Sequence, residues 1–545
     1  MKKNLLVFLF FLLELTAYSQ SEYLVVFKDK ANSTYSVNRP QEFLSERSIQ
    51  RRARQNITIT ERDLPPNVNY LNEIRKTGAK ILYKSRWLNA VLIQTDANTL
   101  SKILQLPFVK GLEGTGDLRY ARTNGTEATG KTRNKFATEE NVNNGLSQTQ
   151  LEMLGADKMH QKGFHGEGML IGVLDGGFEK ANQLSFFKTL FNENRVVGTF
   201  DFVANEKNVY NDHYHGTNVL SCMAAFEEGS IVGTAYKASY LLLRTEDVNS
   251  ETRREEANWL FGVEMADSVG VDVINTSLGY TTFDNPAQNY KYSDMNGDRA
   301  LATRAADWAA QVGILVVASA GNEGDDPWKY IGAPADADSI IAVGAVDASR
   351  NVMNFSSFGP SADGRVKPEL AAQGGATVVG YPSNFVGTNN GTSFASPLLA
   401  GFSAAFWQAF PELTNMQVRS YLIRSASRYE SPNDRVGFGI PNFDKAYEMA
   451  ELDRLVASLK KQGKDVVAFP NPFNEAQAMK VWVLKDDAGQ NFDYKLIDMT
   501  GKVVWSLTTT ERNITLPAQV DYWQSNYILK VSAENLKFTT KVARN

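Results

Sequence analysis

Residues 169–175 read MLIGVLD, an apolar run with one glycine that ends on a carboxylate. A strand with water on one face alternates polar and apolar residues; this one does not, so both of its faces must be covered. The same signature returns in SYLLLRT (239–245), VDVINTS (271–277), GILVVASAG (313–321) and IIAVGAV (340–346). Between these runs, ETRREEANWLFGVEMADSVG (251–270) and DRALATRAADWAAQVG (298–313) read as helices. Doubly buried strands alternating with helices make a parallel α/β sheet, expected over residues 148–460. Ligands of such sheets collect at the carboxyl ends of strands, so the polar residues that close each run are the ones to inspect.

The 545-residue chain exceeds what one core supports, and its texture changes on both sides of this region. MKKNLLVFLFFLLELTAYSQ (1–20) carries two lysines, an apolar run from Leu5 to Leu13 and small residues at Ala17 and Ser19. That is the grammar of a signal peptide over residues 1–19, cut before Gln20, and it implies secretion; the run is too short to span a bilayer. Residues 22–112 alternate strands (EYLVVFK, AKILYKS, LNAVLIQT, PFVKGLE) with helices, a small α+β domain. Residues 113–147 are polar and glycine-rich and read as a processing linker. After about Asp465 short alternating strands separated by turns return, and a β-sandwich is expected over 465–545. A formal net charge of −4 gives no pull toward nucleic acid or anionic membrane, and neither is an expected partner. The single cysteine, Cys222, excludes an intrachain disulfide framework and a cysteine-rich metal site.

Four polar residues stand at the edges of the central sheet. Asp175 follows the first buried strand, and Asn322 follows VVASAG. His215, in NDHYHGTNVLSCMAA (211–225), opens an apolar helix, and Ser393, in NNGTSFASPLLAG (389–401), stands where a glycine turn meets another. Taken alone, Thr392 or Ser393 reads as a helix cap. With an aspartate and a histidine on the same sheet, the serine gains a base to take its proton and a carboxylate to hold that base. The side-chain amide of Asn322 and the backbone amide of Ser393 are donors suited to a developing oxyanion.

At these residues the chain resembles the subtilisin family of serine endopeptidases, in which aspartate, histidine and serine follow one another in that order. LDGGF, HGTNV, NTSLG, ASAGNEG, IIAVGAVD, NFSSFGP, VKPELAAQG and GTSFASP carry the resemblance, in the family's sequence. It implies a subtilisin-like parallel sheet flanked by helices and a serine endopeptidase acting on protein or peptide substrates. By that resemblance Asp175 orients the base, His215 is base and then acid, Ser393 attacks, and Asn322 stabilises the oxyanion. Ser277, Leu278 and Gly279 then pair with an extended substrate. Ser319, Ala320 and Gly321 wall the primary pocket, and Gly332 lies at its floor, which leaves room for large apolar or aromatic side chains; Glu323 at the rim also admits a basic one. Two positions depart from the pattern: Gly176 stands where a hydroxyl residue is usual, and Asn218 where a second histidine is frequent. The first domain is similar to the family's inhibitory propeptide. PNPFNE, KLIDMTGKVV and YILKV…KFTTKV make the last domain resemble the C-terminal sorting domain of the type IX secretion pathway, which implies outer-membrane secretion machinery as a partner and a secreted or outer-membrane-surface location.

The chemistry requires no cofactor and no metal. His213 and His215 form an H-x-H pair, but only His160 and His165 remain as histidines and no H-E-x-x-H helix exists. Asp294, Asn296 and Asp298 open like a calcium loop, but Arg299 and Ala305 fall where glycine and glutamate belong, so a turn with Asp298 capping a helix is expected. Members of the family often bind structural calcium, but no ligand set carries over. A monomer is the expected state. A catalytically inactive binding module of the same fold at the cell surface stays open as the alternative.

Overall fold

The run that opens MLIGVLD forms the strand Leu170–Asp175, buried along its whole length, in a computed structural model that describes residues 20–114, 117–118, 143–474, 478–485, 490–517 and 525–544. The expected signal segment and most of the expected linker lie outside the described residues.

Seven strands form the central sheet, in the order Leu370–Gln373, Ile341–Val346, Leu315–Ser319, Val273–Thr276, Leu170–Asp175, Ser239–Arg244, Val196–Asp201. All neighbours are parallel. The chain enters at Leu170–Asp175, crosses to the edge strand Val196–Asp201, comes back to insert Ser239–Arg244 between them, and then builds outward on the other side from Val273–Thr276. The crevice of an open α/β sheet lies where strand order reverses in this way, at the carboxyl ends. The helices Arg253–Val269 and Leu301–Gln311 stand where the sequence places them. Thr252 and Glu255 form a capping box at the start of the first, which ends on Gly270 in the left-handed region (φ 97°). The expected Asp298 cap is not made. The Leu301 amide that such a cap would serve, and the Ala302 amide after it, donate instead to Glu256 Oε1, at 3.1 and 3.3 Å, so another helix terminates this one.

The first domain is a four-stranded antiparallel sheet, ordered Lys80–Ser85, Ala90–Thr95, Ser21–Phe27, Val109–Leu112. Val25, Phe27, Leu71, Ile74, Val91, Ile93 and Ile103 form a core of its own. Leu24, Trp87, Ala90 and Leu92 share the core that contains Phe261 and Leu260 of the helix Arg253–Val269. Leu118 still bonds the first strand, its amide donating to the Glu22 carbonyl at 3.0 Å, so the domain runs past the boundary expected at residue 112.

A second compact unit begins at Tyr447, earlier than the texture of the sequence suggests. Within it two antiparallel sheets, of three and four strands, share one core that includes Val481, Phe492, Tyr494, Leu496, Tyr527, Leu529 and Val542. This is the expected sandwich.

Candidate active site

Asp175 ends its strand with its carboxylate fully buried. The Gly176 amide donates to Oδ1 at 2.8 Å. His215 begins the helix His215–Ala224, and its Nδ1 lies 2.8 and 3.1 Å from the two carboxylate oxygens of Asp175. Burial drives the His215 pKa down, but the Asp175 charge and hydrogen bond together outweigh it and leave the imidazole above its ordinary 6.5. An imidazole bound in this way through Nδ1 keeps Nε2 for other chemistry.

Ser393 is the second residue of the helix Thr392–Ala409, 7% exposed. Neither Thr392 nor Ser393 caps it. The N-cap is Gly391 at φ 154°, a backbone conformation that favours glycine, and no side chain bonds there. The Thr392 amide donates to Asn322 Oδ1 at 2.9 Å and the Phe394 amide to the Gly391 carbonyl at 3.1 Å. Among the described residues the intervening Ser393 amide has no such acceptor, and it is the first-turn donor left beside its own hydroxyl. The ring of the next residue, Phe394, lies 5.7 Å from that of His215, which brings the imidazole to the start of the serine's helix. Among the described residues no hydrogen bond joins the Ser393 hydroxyl to His215. Such contacts are often long without substrate and tighten when it binds.

Asn322, exposed, follows the strand Leu315–Ser319. Its Oδ1 accepts from both the amide and the hydroxyl of Thr392, at 2.9 and 3.0 Å. With the oxygen so engaged, the NH2 end is the donor available to a ligand. Pro397 has a further effect. It has no N–H to give the carbonyl four residues back, and that carbonyl, of Ser393, accepts the Ser277 hydroxyl at 2.9 Å instead. Ser396 Oγ donates to Asn275 Oδ1 at 2.8 Å, so the serine's helix is pinned to the Val273–Thr276 strand and the residues that follow it.

Residues 166–439 match the model of the subtilase family, peptidase S8, and residues 22–133 match the peptidase S8 propeptide domain of Bacteroidota. Subtilisin NAT from Bacillus subtilis subsp. natto is 30% identical over 379 residues, 68% of this chain and 84% of that protein. Subtilisin DY from Bacillus licheniformis is 33% identical over 279 residues, 51% of this chain and 90% of that one.

The chain belongs to the subtilase family.

It is a serine endopeptidase, made as a zymogen behind a propeptide domain, and its substrates are peptides or proteins. The structure titled "Crystal structure of MycP1 with the N-terminal propeptide removed" matches 55% of this chain and 96% of that one, at 22% identity and a TM-score of 0.44.

The residues expected to hold substrate in this subtilase stand around the same crevice. Ser277, Leu278 and Gly279 follow the Val273–Thr276 strand, passing from buried to exposed. Tyr280, next in line, pairs antiparallel with Ala333, its amide donating to that carbonyl at 2.8 Å. Ser319 and Ala320 are buried at the end of the neighbouring strand, and Gly321 follows at φ 112°. A Cβ on Gly332 would come 2.9 Å from Thr281 Cγ2. The missing side chain thus lets Thr281 approach, and any volume at this floor depends on Thr281 as well. Glu323 Oε2 accepts the Ser357 hydroxyl at 2.8 Å.

The two departures from the family pattern have local explanations. A Cβ on Gly176 would come 2.8 Å from Val248 Cγ1, so a hydroxyl residue there requires Val248 to move. Asn218 is buried and donates to the Gly380 carbonyl at 2.6 Å, tying the histidine's helix to the Thr377–Gly380 strand. Cys222, on the same helix, is fully buried, and burial pushes its thiol far up, which suits packing and not nucleophilic chemistry. The His213 ring lies 6.4 Å from that of His215, while His160 and His165 pair with each other elsewhere, 5.5 Å apart. Among the described residues no three His, Cys, Asp or Glu side chains converge as metal ligands would.

Sequence reading singled out no residue around the Asp175 turn beyond Gly176. Arg244, fully buried at the end of SYLLLR, donates from Nε to the Gly176 carbonyl at 3.1 Å. A charged residue closing an otherwise apolar buried strand was the available signal.

Proposed function

We propose that Asp175, His215 and Ser393 are the catalytic triad of this endopeptidase and that Asn322 completes its oxyanion hole. The observation that carries this reading is the 2.8 Å contact between His215 Nδ1 and the buried Asp175 carboxylate, with Phe394, beside Ser393, against the same ring. Ser393 Oγ attacks the scissile carbonyl while His215 Nε2 takes its proton. Negative charge moves to the carbonyl oxygen, where Asn322 Nδ2 and the Ser393 amide donate to it. Asp175 stabilises the imidazolium, which then protonates the leaving amine. An acyl-enzyme remains on Ser393, and water hydrolyses it by the same steps. The substrate strand lies along Leu278 and Gly279, a pairing that supplies main-chain bonds without reading side chains. Selectivity falls to the pocket of Ser319, Ala320, Gly321 and Gly332, with large apolar or aromatic residues preferred before the cut bond.

A fluorophosphonate tests the nucleophile. The matured wild type is expected to take up one equivalent and Ser393→Ala none. A matured wild type that is not labelled points instead to a binding module, and a labelled Ser393→Ala removes Ser393 from the mechanism. We further propose that residues 1–19 direct export, that the C-terminal sandwich carries the protein across an outer membrane by the type IX route, and that the enzyme works there as a monomer. No helix among the described residues is long and apolar enough to cross a membrane.

A further inference from the structure

The turn after Asp175 consists of two glycines, and glycines do not hold their own backbone in place. Gly176 supplies the only backbone amide bonded to the Asp175 carboxylate among the described residues, at 2.8 Å. Something else must therefore fix the plane of the Gly176 peptides. Two features do so. On one side, a Cβ on Gly177 (φ 143°) would lie 2.6 Å from the His213 amide nitrogen and 2.8 Å from Asp212 Cβ, so the turn is wedged against the loop that leads into His215. On the other, Arg244 donates from Nε to the Gly176 carbonyl at 3.1 Å. Strand register places Arg244 beside both Asp175 and Asp201.

The guanidinium is itself held from two directions. Nη1 lies 2.7 Å from Asp201 Oδ2 and 3.0 Å from Asp212 Oδ1. Asp201 is oriented in turn by the Val203 and Ala204 amides, which donate to its Oδ1 at 2.7 and 2.8 Å. Arg244 and Asp201 are almost wholly buried, with side chains 1% and 0% exposed. Asp212 precedes His215 by a few residues on the loop wedged against Gly177. One planar cation therefore joins the strand edge, the glycine turn and the histidine's loop, a task for which a guanidinium fork is suited and an ammonium is not.

We propose that Arg244 is a positioning residue for the catalytic aspartate: braced by Asp201 and Asp212, it holds the carbonyl of the Gly176–Gly177 peptide, and with Gly177 wedged on the other side this steadies the preceding Asp175–Gly176 peptide, whose amide bonds the carboxylate that orients His215. Arg244 touches neither substrate nor the reacting atoms. Its effect passes through the alignment of Asp175 with His215, and it rests on the triad reading given above.

The test uses matured Arg244→Lys, with active sites counted by fluorophosphonate so that unfolded molecules do not enter kcat. The substitution keeps the charge between Asp201 and Asp212 but loses the fork that reaches the Gly176 carbonyl. Turnover is expected to fall about tenfold to a hundredfold, the scale of a small misplacement of a catalytic group. KM should be unchanged. The acid limb of the kcat/KM profile should move to lower pH, because a misaligned carboxylate supports the imidazolium less well. A purely structural role would lower thermal stability and the yield of active sites, and leave both the per-site turnover and the limb at wild-type values; that result overturns the proposal. Should Arg244→Lys fail to accumulate, Asp212→Asn removes one brace and is expected to shift kcat and the limb in the same directions, by a few fold; wild-type values there also overturn it. Ser393→Ala run in parallel separates the two levels. Loss of labelling in Ser393→Ala together with unchanged Arg244→Lys defeats the positioning role alone, while retained labelling in Ser393→Ala defeats the triad on which it rests.

Discussion

On the oxyanion-hole reading proposed above, Asn322 uses the opposite ends of one amide for two tasks, and this makes it the residue whose removal is most informative. Its oxygen accepts from the Thr392 amide and hydroxyl, which satisfies one first-turn donor of the serine's helix and fixes which way the amide faces. Its NH2 group is thereby presented as a donor before any substrate arrives, and a donor that need not reorganise contributes most in the transition state. Asn322→Ala is therefore expected to lower kcat by about 10²–10³-fold with little change in KM. Loss of the bonds to Thr392 should also lower stability, by about 1 kcal/mol. Steady-state kinetics on site-titrated enzyme, paired with thermal melts, checks both. A matched fall in kcat/KM carried wholly by KM would mean that Asn322 binds the ground state and not the oxyanion.

Elements show why some of the molecule was legible and some was not. The five interior strands were readable because burial on both faces leaves runs that are apolar except at their ends. The two edge strands were not: VVGTFD at Val196–Asp201 is half-buried and carries polar residues, and LAAQ at Leu370–Gln373 is too short to announce itself. Asp175, His215, Asn322 and Ser393 stood out because each sits where an apolar run begins or ends. The groups that bond around them, Arg244 at the Gly176 carbonyl and Ser277 at the Ser393 carbonyl, come from other parts of the sheet, and local pattern carries no such pairing. The failed Asp298 cap has the same origin, since Glu256 reaches those amides from a neighbouring helix. The short helix Ala156–Gln161 offers a prediction at this scale. His160 on it is 5% exposed, its Nε2 donates to the Thr234 carbonyl at 3.1 Å, and its Nδ1 has no hydrogen-bond partner among the described residues. Burial pushes its pKa down to about 4, with the Thr234 carbonyl and Glu167 pulling upward and His165 and Lys237 pushing further down. The folded state thus resists a proton that the unfolded chain accepts near pH 6.5, and stability is lost as pH falls from that value toward 4, by at most about 1.4 kcal/mol per pH unit. Melting temperatures of the Ser393→Ala zymogen should fall across that window, and His160→Gln, which cannot take the proton, should flatten the fall. Equal slopes in the two proteins would show that other groups set the acid limit.

At the scale of the whole molecule, the first domain is held to the peptidase by buried charge as well as by apolar contact. Asp267, fully buried on the helix Arg253–Val269, receives Arg51, Arg52 and Arg86 from the first domain, with Arg52 at 2.8 Å and Arg86 at 2.9 Å. On the same helix, Glu264 accepts the Ser85 hydroxyl and the amides of Arg86 and Trp87, at 2.6 and 3.2 Å for the amides. Burial alone would raise the Asp267 carboxyl, but the three guanidinium groups outweigh it and hold the carboxyl far below the usual range, which keeps it charged at neutral and mildly acidic pH. Arg52 also meets Asp63 at 2.9 Å and Arg86 lies 3.8 Å from Glu264, but Asp267 is the one carboxylate all three cations share, and it makes the one ion pair of Arg51 among the described residues. Breaking a buried pair costs about 3–5 kcal/mol when it leaves a charge alone, and here that charge is chiefly Arg51. Asp267→Asn, placed in the Ser393→Ala chain and nicked in the linker by an added protease, is therefore expected to bind its severed first domain about 10²–10³-fold more weakly than the same nicked chain with Asp267 intact. Matured Asp267→Asn should keep wild-type turnover, since the residue lies on the outer helix and touches no catalytic group. If the two nicked chains release the domain at the same concentration, apolar contacts such as Tyr83 on Phe261 carry the association, and the arginines serve only to match a charge that burial would otherwise leave alone.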